Sequence, residues 1–222
     1  MDFSEDILAK NNQLIRLIKK IRVSNIEFED ELRLKAIDLM KPDSNVLDCG
    51  RSLRNYFDQA SQVCSNIVTL DINKFKEYPD WLIDICDINQ VSKIPNRFDI
   101  IIAFNLLEHC YNPFAAAQNL KTLLKDSGGI IIGSAPFLFP HHGPENLSYQ
   151  DYFRFTRDSY ALIFPDAQSI ELFAIRGRLA TSLNVLTLRY RFIFEKNFRL
   201  IAKFVNKRIR KNLNQLHLPS SY

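Results

Sequence analysis

The chemistry this chain could perform is best sought where acids, glycine and histidine follow short apolar runs. Asp48-Cys49-Gly50-Arg51-Ser52 follows Asn45-Val46-Leu47. A glycine there lets the backbone turn tightly and approach a ligand closely. Asp71 ends the run Ile67-Val68-Thr69-Leu70, 23 positions beyond Asp48. An acid about 20 residues past a glycine turn is placed to accept hydrogen bonds from a ribose diol. Asp84 and Asp87 lie in the segment DICDI, where a carboxylate could accept from an adenine amino group. Asn105-Leu106-Leu107-Glu108-His109 follows FDIIIAF, and His141-His142 stands between Pro140 and Gly143. An imidazole titrates near neutrality and suits a general base. His142 is the favoured base and His109 the second candidate. Arg154, in the segment DYFRFT, could hold an anionic or polyhydroxyl acceptor with its planar fork, and Tyr152 could line the same pocket. Plainer readings stand beside these. Asp48 could cap a turn, Asp71 could be a solvated strand end, and Arg154 could pair with Asp151.

The elements that must position these groups alternate. Short apolar runs at 45–48, 67–71, 98–103 and 130–133 read as buried strands, with helical stretches between them. The clearest helix covers 113–125, with Asn112 as N-cap, Pro113 at its first position and Gly128 past its end. Strand–helix alternation predicts an α/β fold, a Rossmann-like, doubly wound and mostly parallel sheet. In such a sheet, ligands bind beyond the C-terminal strand ends, which is where the acids and histidines fall.

Leu14, Leu17, Ile18 and Ile21 mark an N-terminal helix, and Phe28, Leu32 and Leu39 continue an apolar face after a break near Ser24-Asn25. Residues 170–175 read as a strand. Leu186, Leu188, Tyr190, Phe192 and Phe194 alternate, which predicts an antiparallel last strand. Phe198, Ile201, Val205 and Ile209 then mark a basic amphipathic helix. The expected organisation is one domain over 1–222, with N-terminal helices over 1–40, the core over 45–195, and the basic helix and tail over 196–222.

Composition narrows the classes. A net charge of +4 is too small to indicate nucleic-acid binding. Between 189 and 211, however, nine Lys or Arg accompany the single acid Glu195. A helix so charged could lie on an anionic membrane or contact a partner glycosyltransferase. The four cysteines form no CxxC pair, so neither metal ligands nor a disulfide framework is expected. The opening MDFSED lacks the features of a signal peptide, and a cytoplasmic setting is expected, with membrane association open.

The ordered series VLDCG, TLDIN, DICDI, FDIIIAFNLLEH and LLKDSGGIIIGSAPF resembles that of class I S-adenosylmethionine-dependent methyltransferases. Leu53-Arg54-Asn55-Tyr56-Phe57, Pro136-Phe137, His142-Gly143 and the DYFRFT segment resemble the methyltransferase type 11 subgroup of bacterial surface-polysaccharide clusters. The resemblance spans roughly residues 25–176. It implies S-adenosylmethionine as cofactor, held by Asp48, Gly50, Ser52, Asp71, Ile72, Asp84, Ile85, Asp87 and Asn105. It also implies methyl transfer to oxygen of a sugar or glycan precursor. Ser52 and Arg54 stand where the family usually repeats glycine. A non-catalytic relative, keeping the fold as a binding or scaffold module, is therefore the alternative. No G-x-G-x-x-G follows the first strand, which disfavours a nicotinamide dehydrogenase.

Overall fold

The computed structural model describes residues 3–175. Helix α1 (Phe3–Lys20) ends with Leu17 buried, and Ile21 just beyond it is buried too. The expected break near Ser24-Asn25 is instead a strand, β1 (Arg22–Ile26). It pairs in parallel with β7 (Glu171–Ile175), from Arg22 opposite Glu171 to Ile26 opposite Ile175. A partner so distant in sequence leaves no local trace, because the ladder bonds are main-chain groups. Helix α2 (Asp30–Asp38) follows.

The main sheet contains β2 (Asn45–Cys49), β3 (Asn66–Asp71), β4 (Trp81–Leu82), β5 (Ile100–Phe104) and β6 (Ile130–Ser134). Their spatial order is β4-β3-β2-β5-β6, and every pairing is parallel. This is the Rossmann-like α/β arrangement that the alternation predicts. The segment expected to add an antiparallel last strand, 186–195, and the basic helix after it lie outside the described residues.

Strand β5 reads Ile-Ile-Ile-Ala-Phe because both of its faces are covered, and all five residues are buried. Ile100, Ile102 and Phe104 pack with Leu32, Ala36 and Ile37 of α2 and with Ala60 of α3 (Phe57–Val63). Ile101 and Ala103 face the other layer, with Ala116, Ala117 and Leu120 of α5 (Pro113–Thr122) and Tyr160 and Ala161 of α6 (Ser159–Ile163). Between β4 and β5 a short helix, α4 (Ile88–Val91), crosses to the far side of β2. Helix α5 spans Pro113–Thr122, and the Asn112 side chain accepts from the Ala115 N–H as its cap. It stops short of the expected Lys125. The Leu124 backbone there forms a bridge with Phe98, and Lys125 N–H donates to the Phe98 carbonyl.

Gly133 of β6 lies opposite Ala103 of β5. A Cβ at Gly133 would sit 2.2 Å from the Ala103 carbonyl oxygen, so the two strands would have to part. Gly133→Ala should therefore destabilise the fold by about 1–3 kcal/mol, the usual cost of overpacking. Urea titration checks this, and an unchanged midpoint would show that the strands yield without cost.

Candidate functional site

The strand order reverses between β2 and β5, and a cavity of about 670 Å³ opens at their C-terminal ends. The β2 turn starts at Gly50, which has φ of +66° and donates its N–H to the Leu70 carbonyl. A Cβ there would meet the Leu106 side chain at 3.3 Å. Arg51 and Arg54 also take positive φ, 53° and 49°. Arg54 thus holds the left-handed conformation without the freedom of glycine, at a cost of about 1–2 kcal/mol. Its side chain lines the cavity.

Asp48 and Ser52 were expected to touch cofactor, but neither is on the cavity wall; both are buried beneath the turn. Ser52 Oγ donates to the Cys49 carbonyl at 2.6 Å and accepts from the Phe104 N–H at 2.7 Å, tying the end of β2 to β5. Asp48 accepts from the Leu53 N–H at 3.2 Å. Burial pushes its carboxyl up to about 7, offset in part by the Leu53 and Ser52 N–H groups.

Gly50, Asp71, Ile72, Asp84, Ile85 and Asn105 do line the cavity. Asp71 accepts from the Asn73 N–H at 2.8 Å, and burial raises its pKa. Asp84 accepts from the Cys86 N–H at 2.8 Å. Asp87 is not on the cavity wall. It caps α4, accepting from Asn89 N–H and from Gln90 Nε2, both at 2.9 Å. Asn105 takes φ of 51°, and its amide donates to Glu29 at 3.0 Å.

Glu29 is a wall residue that the sequence does not single out, because FEDEL reads as an ordinary acidic first turn. It accepts from Asn105 and from the Ser134 hydroxyl, and it pairs with Arg33 at 2.7 Å. Arg33 is buried. Its Nε donates to the Ser52 carbonyl at 2.8 Å, and its guanidinium lies over the Phe104 ring at 4.5 Å. A buried cation needs such partners to offset its lost hydration.

At the opposite end the two candidate bases meet. The His109 and His142 rings lie edge to face with centroids 4.9 Å apart, and both line the cavity. His109 Nδ1 faces the Gln150 carbonyl at 2.8 Å, and burial lowers its pKa. His142 Nδ1 lies 3.0 Å from the Asp151 carboxylate. Tyr149 and Tyr152 complete this end. Glu108 is fully buried beside His109, and neither of its carboxylate oxygens has a hydrogen-bond partner in another described residue. Burial pushes its carboxyl up to about 8.

Arg154, expected to hold acceptor, is not on the cavity wall. It grips Asp151 with both terminal nitrogens, at 2.5 and 2.6 Å, and donates to the Phe139, Pro140 and Phe153 carbonyls. That grip holds the Asp151 carboxyl well below the usual range. Arg154 shapes the loop over 136–154 that carries His142.

Neither a protein-family model nor a curated protein matches the sequence. Solved structures do. A chain in the complex of the Haloferax volcanii Trm112 methyltransferase activator is 14% identical, with a TM-score of 0.45, over 61% of this chain and 66% of that one. The N-methyltransferase NodS of Bradyrhizobium japonicum, in complex with S-adenosyl-L-homocysteine, is 18% identical with a TM-score of 0.38, over 58% and 74%. The sugar N-methyltransferase KedS8 of a Streptoalloteichus species is 11% identical with a TM-score of 0.37, over 53% and 49%. At these values the likeness assigns neither activity nor acceptor.

The folded chain holds a proton on Asp48 up to about pH 7, whereas an unfolded aspartate loses it near pH 4. Stability contributed by this group is present at low pH and is lost as pH rises through that window. Asp48→Asn, which keeps an acceptor for Leu53, should remove the loss. The gap in melting temperature between variant and wild type should widen from pH 4 to 7 and reach several degrees. Thermal melts across that range check this, and a gap independent of pH would place the titration elsewhere.

Proposed function

We propose that the chain transfers a methyl group from S-adenosylmethionine to an oxygen of a sugar or glycan precursor. The observation that carries this reading is the placement of Asp71 and the Gly50 turn on one cavity at the β2–β5 switch point, with the histidine pair at its other end. The Asp71 carboxylate suits a ribose diol, Ile72 and Ile85 offer apolar walls for a purine, and Asp84 suits an exocyclic amine.

Methyl transfer is an in-line displacement. The acceptor oxygen bonds to the methyl carbon as the carbon–sulfur bond breaks, the thioether leaves, and the hydroxyl loses its proton. The cofactor supplies the reactive centre, and the protein supplies binding and orientation. Alignment alone can contribute up to about 7–11 kcal/mol. The groups at hand for the proton are His109, His142 and their neighbours. Tyr152, half exposed on the wall, offers acceptor contact.

No helix among the described residues is long and apolar enough to cross a membrane. The basic stretch over 189–211 would bring the enzyme to an anionic membrane surface or a glycosyltransferase there. Sedimentation with liposomes should then rise with anionic lipid and fall with salt. Binding indifferent to both would remove this part of the proposal.

Asp71→Ala should weaken S-adenosylhomocysteine binding at least tenfold, since a hydrogen bond to a charged group contributes about 1.5–3 kcal/mol. Calorimetry on the folded variant decides. Unchanged affinity would mean that the cavity holds a different ligand, and absence of any binding by the wild type would favour the scaffold alternative.

A further inference from the structure

We propose that Glu108, His109 and His142 form a binding site for a divalent first-row transition-metal ion at the acceptor end of the cavity. One ligating atom of each lies within 4.8 Å of the other two, and His109 Nε2 is 4.0 Å from Glu108 Oε1. Ligands around a tetrahedral zinc stand about 3.4 Å apart, given bonds of about 2.1 Å. Small side-chain rotations therefore close the set.

The surroundings prepare each ligand. The Gln150 carbonyl can only accept, so His109 Nδ1 is the donor and Nε2 keeps its lone pair. The Asp151 carboxylate and the Pro140 carbonyl can only accept as well. His142 Nδ1 therefore also donates, and its Nε2 has no partner among the described residues. A carboxylate or carbonyl behind an imidazole is the usual support of a metal-binding histidine. Arg154 fixes Asp151 in turn, and its charge is met there.

The third observation is Glu108. Its side chain is fully buried beside His109, and neither oxygen has a hydrogen-bond partner in another described residue. Buried polar atoms nearly always have partners. A cation between the carboxylate and the two imidazoles would supply one. Two nitrogens and one oxygen suit zinc, iron, cobalt or manganese better than magnesium or calcium. Three protein ligands leave positions open for a further oxygen.

This site rests on the methyl-transfer reading only for its purpose. Coordination of the acceptor hydroxyl would let its proton leave to solvent water, after which the oxygen forms its bond to the methyl carbon and the thioether departs. His142 then acts as a ligand rather than as the base that its position in the sequence suggests.

The test uses tag-free, chelator-treated full chain titrated with Co²⁺ and followed by visible absorption, with Zn²⁺ as competitor. One equivalent should bind. Glu108→Gln, His109→Ala and His142→Ala should each weaken binding at least tenfold, and Asp151→Asn should weaken it about tenfold through His142. His142 is partly exposed, so its variant should fold even if the Glu108 variant does not. No cobalt binding at tenfold excess, or binding that ignores all four substitutions, overturns the site. S-adenosylhomocysteine calorimetry on the same samples separates the two ideas. Cofactor without cobalt sinks the metal site alone, and cobalt without cofactor sinks the methyl-transfer reading alone.

Discussion

The structure depends on how β2 and β5 separate at their C-terminal ends. The two strands are hydrogen-bonded neighbours, yet the chain leaves one toward α3 and the other toward α5, on opposite faces. The crevice this opens would expose two strand ends, and a buried hydroxyl holds them. Ser52 bonds to the Cys49 carbonyl and to the Phe104 N–H. The site's acids and histidines follow β3, β4, β5 and β6, so their spacing inherits this tie. Arg33 reinforces it from the N-terminal segment, reaching Ser52 and stacking on Phe104 while it pairs with Glu29.

Burial of carboxyl groups is the recurrent electrostatic feature of this edge. Asp48, Asp71 and Glu108 are all raised by loss of water. The first two accept main-chain N–H groups, which return part of what hydration supplied. Glu108 accepts no hydrogen bond from any other described residue. The difference sorts the three by role. Asp48 supports a turn, Asp71 presents itself to the cavity, and Glu108 is the carboxyl that the proposed metal ion would engage.

The loop after β6 is anchored at both ends and in its middle. Phe155 N–H donates to the Pro136 carbonyl, Ser148 N–H to the Asn73 side chain, and Tyr152 N–H to the Glu108 carbonyl. Arg154, held by Asp151, donates to the Phe139 and Pro140 carbonyls and so ties its two limbs together. A long connection held this way presents His142, Tyr149 and Tyr152 with little freedom, as the proposed acceptor pocket would require.

The sequence by itself determined the parallel sheet, since four apolar runs separated by helical stretches admit few other arrangements, and β2, β3, β5 and β6 formed close to where they were expected. The positions of Gly50, Asp71, Asp84, Asn105, His109 and His142 on one edge follow from the same reasoning, because each stands just past a strand. What each side chain touches was decided in three dimensions. Asp48, Ser52, Asp87 and Arg154 are bonded to backbone or to neighbouring side chains, and motif spacing cannot distinguish a residue that holds a wall from one that forms it. Glu29 belongs to the cavity only because α2 packs beside β6, and β1 exists only because β7 returns from the far end of the described chain. Periodicity records which face of an element is apolar. It does not record which distant main-chain or charged group that element meets, because those contacts form only when the sheet and its covering helices close together.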